Sequence, residues 1–88
     1  MTCMYEVVFT KQALRSLRRI PRNIAMLIRE KLEQLAEDPY APNNNVTKLV
    51  GRPGYRLRVG DWRVIYELQD GQLILLVIKI GPRGEVYE

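Results

Sequence analysis

Arginine is the residue type this chain offers for chemistry. Arg56, Arg58 and Arg63 lie close together in the sequence, and Arg83 follows near the end. A guanidinium cannot act as a base at ordinary pH, because its pKa is above about 12. A cluster of them can hold a phosphate by paired hydrogen bonds and stabilise charge that develops on it. RNA can be cleaved without a metal when its own 2′-hydroxyl is the nucleophile. The protein must then align that oxygen, stabilise the pentacoordinate phosphorane and help to move two protons. Arg56, Arg58, Arg63 and Arg83 suit the first two tasks. For the protons the chain offers Glu85 and Tyr87 from the tail and Lys48 from a loop, and it has no histidine. Tyr87 could also stack on an unpaired base, as aromatic rings do in single-stranded RNA recognition. A terminal aromatic is as often packed on a sheet edge.

The arginines are positioned by residues 55–66, Tyr-Arg-Leu-Arg-Val-Gly-Asp-Trp-Arg-Val-Ile-Tyr. Both arms are rich in β-branched and aromatic residues, and Gly60-Asp61 falls where a tight turn belongs. Glycine in the first central position suits a type II′ turn. That turn pairs Val59 with Trp62, Leu57 with Val64 and Tyr55 with Tyr66, giving one apolar face. The other face carries Arg58 opposite Arg63, with Arg56 further along. Like charges directly across two strands are destabilising. The plain reading is a solvated basic face. The sharper one is a site that needs a polyanion.

The remaining elements follow from periodicity. Residues 4–9 read as a first strand, and Thr10 as the N-cap of a helix. In that helix Ala13, Leu14, Leu17 and Ile20 form an apolar stripe, with Lys11, Arg15, Arg18 and Arg19 on the other side. Those arginines are most simply a solvated face. Pro21 interrupts, and a second helix runs from about Arg22 to Asp38, burying Ile24, Leu27, Ile28, Leu32 and Leu35. Asp38-Pro39 ends it. Residues 39–54 have loop composition, with a short extended piece at Val46 to Leu49. Asp70-Gly71 suits a two-residue type I′ turn, after which Leu73 to Ile80 returns as an almost wholly apolar strand. That register pairs Val77 with Val64 and Ile78 with Arg63. Gly81 and Pro82 break the strand. The fold class expected is α+β in the order β-α-α-β-β-β, a helical hairpin packed on one face of an antiparallel sheet.

Length and composition bound the possibilities. The 88 residues make one domain with a single modest core. A 47% hydrophobic fraction is that of an ordinary globular protein. The net charge of +4 leans towards an acidic partner, nucleic acid or protein. With one cysteine and no histidine, a zinc site or a Cys-His pair has no residues to build it, and no cofactor is expected. Cys3 reads as a small apolar filler. The run Leu73 to Ile78 is too short to span a membrane, and Met1-Thr-Cys-Met leads straight into a strand pattern, so a cytoplasmic location is expected.

Three stretches carry a family resemblance: Lys48-Leu-Val-Gly, the hairpin of residues 55–66, and Ile80-Gly-Pro-Arg-Gly-Glu-Val-Tyr. Together they resemble the RelE group of the RelE/ParE toxin superfamily over nearly the whole chain. The resemblance implies a RelE-like, microbial RNase-like fold. It implies a ribosome-dependent endoribonuclease that cuts mRNA in the A site, contacting mRNA and rRNA, and a cognate acidic antitoxin encoded alongside. Operator DNA would be reached only through that antitoxin. By position, Arg63 matches the arginine that stabilises the transition state, and Arg83 the arginine just after the last strand's glycine. Tyr87 matches the tyrosine that stacks on the A-site base. Arg56 and Arg58 fall where the best-known members have two lysines, and Pro82 where a His or Lys is often found. Arginine holds its proton far more tightly than lysine, so the proton donor and acceptor stay open. Two further readings share the fold: a ParE-like poison of DNA gyrase, and a toxin homologue acting mainly through antitoxin binding and operon repression. The Arg63, Arg83 and Tyr87 set favours the ribonuclease.

Overall fold

The computed structural model describes residues 4–84; Cys3, Glu85 and Tyr87 lie outside the described residues. The elements are β1 (Glu6–Phe9), α1 (Lys11–Arg19), α2 (Arg22–Glu37), β2 (Val46–Lys48), β3 (Tyr55–Val59), β4 (Trp62–Gln69) and β5 (Ile74–Pro82). The five strands form one sheet in the order β1-β5-β4-β3-β2. The α+β class is as expected, with two details added. The extended piece at Val46–Lys48 is a short edge strand, antiparallel to β3. β1 pairs parallel to β5, whereas the other strands pair antiparallel.

Local chemistry sets the helix ends. Thr10 Oγ1 accepts the Ala13 N–H at 3.1 Å and donates to the Ile78 carbonyl at 2.8 Å, so one side chain caps α1 and ties it to β5. Such a cap contributes about 1 kcal/mol. Ile20, before Pro21, is extended (φ −84°, ψ 159°), because proline's ring crowds a helical residue before it. α2 restarts at once and stops at Asp38, again before a proline. Both helices lie on the same face of the sheet. Ala13, Leu17, Ile28, Leu32 and Leu35 pack there against Leu57, Val59, Val64, Tyr66, Leu75, Val77 and Ile80. Trp62 is half-buried against this core. Leu27, expected to be buried, is 38% exposed beside Met26 at 64%. It stands about 100° round the helix from Ile28, at the margin of the stripe that meets the sheet.

The β4–β5 register differs from the one expected. The connection is a four-residue loop, Asp70–Leu73, and not a two-residue turn: Gln69 pairs with Ile74. The Gln72 N–H donates to the Gln69 carbonyl and the Leu73 N–H to the Asp70 carbonyl, and Leu73 has φ +56°. The hydroxyls of Tyr5 (2.8 Å) and Tyr40 (2.7 Å) both donate to the Asp70 carboxylate, a contact made across the chain. A slip of two residues leaves every side chain on its expected face, so hydrophobic patterning cannot detect it. A β-bulge between Ile65 and Tyr66 then shifts the ladder by one more residue. Ile80, not Val77, faces Val64, and Gly81, not Ile78, faces Arg63. Without the bulge, strict alternation would point Lys79 into the core. With it, Ile80 is 3% exposed and Lys79 stays on the outer side. β5 also runs through Gly81 to Pro82, past the point where these residues were expected to break it. Pro82 sits in the last pair, opposite Trp62, where a missing N–H costs little.

Candidate phosphate-binding groove

The β3–β4 hairpin follows the register that Gly60-Asp61 implies. Val59 pairs with Trp62, Arg58 with Arg63, Leu57 with Val64, Arg56 with Ile65 and Tyr55 with Tyr66. Gly60 has φ +59° while Asp61 is not in the left-handed region, which fits a type II′ turn. Alternation sends Leu57, Val59, Val64 and Tyr66 to the core and the three arginines to the opposite face. Arg56, Arg58 and Arg63 line one groove of about 170 Å³ with Asn44, Asn45 and Thr47. No carboxylate is among these lining residues.

Neutral acceptors hold two of the guanidiniums. Arg58 Nη2 donates to Asn45 Oδ1 at 3.0 Å, and the Arg58 N–H donates to the Asn45 carbonyl at 2.8 Å. The Asn45 N–H in turn donates to Asn43 Oδ1 at 2.9 Å, which orders the loop beneath. Arg63 Nη1 donates to the Gly60 and Trp62 carbonyls, each at 3.0 Å, so this side chain curls back on its own turn. The side chains are oriented and their charge is kept. Such a groove can accept a phosphate through charge-assisted hydrogen bonds and relieve the Arg58–Arg63 repulsion.

Arg83 stands at the same end of the sheet. Its backbone N–H donates to the Asp61 carbonyl at 2.7 Å, which fastens the end of β5 to the hairpin turn. Its side chain is exposed and is not among the groove's lining residues. Lys48 is not brought to the groove. It pairs with Tyr55, one residue out of phase with the groove residue Thr47, and so points to the other side of the sheet. Asn44, Asn45 and Thr47 were missed as site residues by sequence reasoning, which read the asparagines as loop composition and Thr47 only as part of a short extended piece. The signal was the strand piece itself: once Thr47 pairs with Arg56, its neighbours fall beside Arg58. Glu85 and Tyr87 lie outside the described residues.

The groups with shifted titration lie elsewhere. Asp70 is held below the usual carboxylate range, first by the Tyr40 hydrogen bond and then by that of Tyr5. Tyr40 is pushed up to about 12, chiefly by its hydrogen bond to Asp70. Tyr66 is raised by burial, and its hydroxyl has no hydrogen-bond partner. Asp70 and Tyr40 mark the end of β4 remote from the Gly60-Asp61 turn, and Tyr66 lies in the core at the middle of that strand. Among the described residues no cluster of His, Cys, Asp or Glu could hold a metal ion, and no helix is long and apolar enough to cross a membrane.

A second basic surface lies on the helices. A groove of about 550 Å³ has Leu14, Leu17, Ile20, Ala25 and Met26 in its lining, with Arg18, Arg22 and Arg29 around them. Arg29 also stands 5.2 Å from the centre of the Phe9 ring.

A helical pair on one face of a mostly antiparallel sheet, with an arginine groove on the other, defines a small toxin of the RelE/ParE superfamily. The family model for the ParE toxin of type II toxin–antitoxin systems (parDE) matches residues 7–87, and the chain belongs to that family. Within the superfamily it is of the RelE type. It is 30% identical over 88 residues to the mRNA interferase toxin RelE of Escherichia coli K12, covering 94% of this chain and 90% of the relative. The archaeal RelE–RelB complex from Pyrococcus horikoshii contains a chain with a TM-score of 0.80 and 30% identity, covering 96% of this chain and all of that one. The intact E. coli RelBE toxin–antitoxin complex gives a TM-score of 0.77 at 25% identity, covering 93% and 99%.

Proposed function

We propose that this toxin is a ribosome-dependent mRNA endoribonuclease that works by metal-independent transesterification. The observation that carries the reading is the groove in which Arg56, Arg58 and Arg63 converge from two strands with no carboxylate among its lining residues. The substrate 2′-oxygen attacks the adjacent phosphorus; the O2′–P bond forms and the P–O5′ bond breaks. This leaves a 2′,3′-cyclic phosphate and a free 5′-hydroxyl. The 2′-hydroxyl loses a proton and the leaving O5′ gains one. Arg63 and Arg83 stabilise the extra charge on the phosphorane oxygens, and Arg56 and Arg58 hold and orient the backbone. Tyr87 stacks on a substrate base. An arginine cannot take the proton from the 2′-hydroxyl. That step falls to Glu85, Tyr87 or the ribosome, and a groove of fixed cations lacking a base is in keeping with an enzyme that works only there.

The relative named above is an mRNA interferase, which supports this reading. The family model bears the ParE name and favours one rival, a poison of DNA gyrase. The decisive experiment is primer extension on a message translated in vitro. Cuts within codons that appear only with translating ribosomes are expected. An uncut message together with blocked gyrase supercoiling would overturn the proposal.

The partner is an acidic antitoxin. RelE toxins of P. horikoshii and E. coli were crystallised with RelB. On this chain the arginine groove supplies charge to such a partner, and the helical groove supplies apolar floor with Arg18, Arg22 and Arg29 around it. Segments of this kind order on binding and can cover both surfaces at once. An acidic protein is expected to co-purify from the native operon, and expression of the toxin alone is expected to arrest growth. Unimpaired growth with no acidic partner would sink this assignment.

A further inference from the structure

On the arginine face, next to the phosphate-binding groove, a separate cleft of about 390 Å³ is lined by Leu49, Arg52, Pro53, Ile65, Glu67 and Ile78. Leu49, Ile65 and Ile78 form a small apolar cluster of their own, apart from the main core. Two irregularities build it. The β-bulge sets the Ile78–Lys79 pair against Ile65. Gly54, at φ +117°, leaves open the space where a Cβ would stand 3.3 Å from Leu49 Cδ1 and 3.4 Å from Glu67 Cγ. Leu49 and Glu67 therefore approach each other over a bare backbone. β4 carries Arg63, Ile65 and Glu67 at alternate positions of one face, about 7 Å apart. A single strand whose phosphate is held at Arg63 and that runs along this face would carry a neighbouring base to the cleft beside Ile65.

We propose that this cleft is a nucleobase subsite, and that Glu67 reads guanine in a nucleotide next to the scissile phosphate. The proposal rests on the arginine groove being the cleavage site. Ile78 and Pro53, which the buried Leu49 and Ile65 support from beneath, take the face of the base, and the exposed Arg52 guanidinium can stack on its other side. A carboxylate presents only acceptors. Guanine alone offers two adjacent donors on its pairing edge, N1–H and N2–H. Adenine and cytosine offer one donor beside an acceptor, and uracil one donor between two acceptors, so each sets a lone pair against the carboxylate. A well-made bidentate contact discriminates by roughly tenfold to a hundredfold.

The test uses ribosomes programmed with each of the four bases at each nucleotide flanking the cut, with single-turnover cleavage by wild type and by Glu67→Gln. Wild type should cut the guanine message about tenfold faster or more at one flanking position. An amide presents one donor and one acceptor, a pair that every base can match (guanine through O6 and N1–H, uracil through O4 and N3–H). Glu67→Gln should therefore lose the guanine preference while still cutting the other three messages at about the wild-type rate, and circular dichroism should show the fold unchanged. Loss of the preference with the other three rates retained would not arise from loss of a merely structural contact, which would lower all four. Wild type that cuts all bases equally, or a Glu67→Gln protein that keeps the guanine preference, overturns the subsite and leaves the ribonuclease reading standing. Wild type that cuts no message at all overturns both.

Discussion

The two basic surfaces use the same residue type in opposite ways. On the sheet, Arg58 and Arg63 are fixed by strand register and by hydrogen bonds to neutral oxygens, and they sit in a groove lined almost wholly by polar residues. On the helices, Arg18, Arg22 and Arg29 surround an apolar floor, and all three side chains are exposed. A strand pair fixes where a guanidinium can be, to within a fraction of a residue. A helix face offers charge with freedom to adjust. The first suits stabilising charge at one atom, and the second suits docking a partner whose shape varies.

The sharpest way to break this contrast is Arg63→Ala, with Arg83→Ala beside it. Each should lower mRNA cleavage on programmed ribosomes by about a hundred- to a thousandfold, since in the proposed mechanism each removes a transition-state contact, while circular dichroism shows the fold intact. Arg56→Lys and Arg58→Lys should keep most of the activity, because a cation suffices to hold the backbone. A folded Arg63→Ala protein cutting at the wild-type rate would falsify the assignment. Reversing charge on the helices tests the other surface. Arg18→Glu combined with Arg22→Glu should weaken binding of the acidic partner about tenfold at low salt and less at high salt, as measured by titration calorimetry.

Gly54→Ala probes what lies between the surfaces. A Cβ there would stand 3.0 Å from the Tyr66 carbonyl oxygen, at a φ that L-residues rarely adopt. Denaturant unfolding should show a loss of about 1–3 kcal/mol. The smallest effect belongs to the Asp70 clasp. Its folded pKa is lowered, so its contribution is present at neutral pH and lost as pH falls through the folded value, beginning at about 4. Tyr40 is raised to about 12, so its share is complete below about 10 and lost as pH climbs towards 12. Thermal melts should thus show a small drop at both extremes, absent at the acid end in Asp70→Asn.

Much of this was legible in the residues. Thr10 as cap, Pro21 and Pro39 as stops, and the Gly60-Asp61 turn are local choices, each decided by the chemistry of one or two residues. Period-2 alternation around that turn placed Arg56, Arg58 and Arg63 on one face and Val64 and Tyr66 in the core. The sequence by itself thus determined the fold class and the existence of the arginine face. The tertiary structure alone decided the β4–β5 register. A slip of two residues costs nothing in hydrophobic pattern, so the residues of the hairpin alone do not choose between the loops. The longer loop is seen together with contacts from distant parts of the chain, where Tyr5 and Tyr40 donate to Asp70. It also decided the bulge that keeps Lys79 out of the core and turns Ile78 towards Ile65. Likewise, Lys48 lies off the groove while Asn45 lies on it, because the phase of a three-residue edge strand is fixed by its partner and not by its own residues.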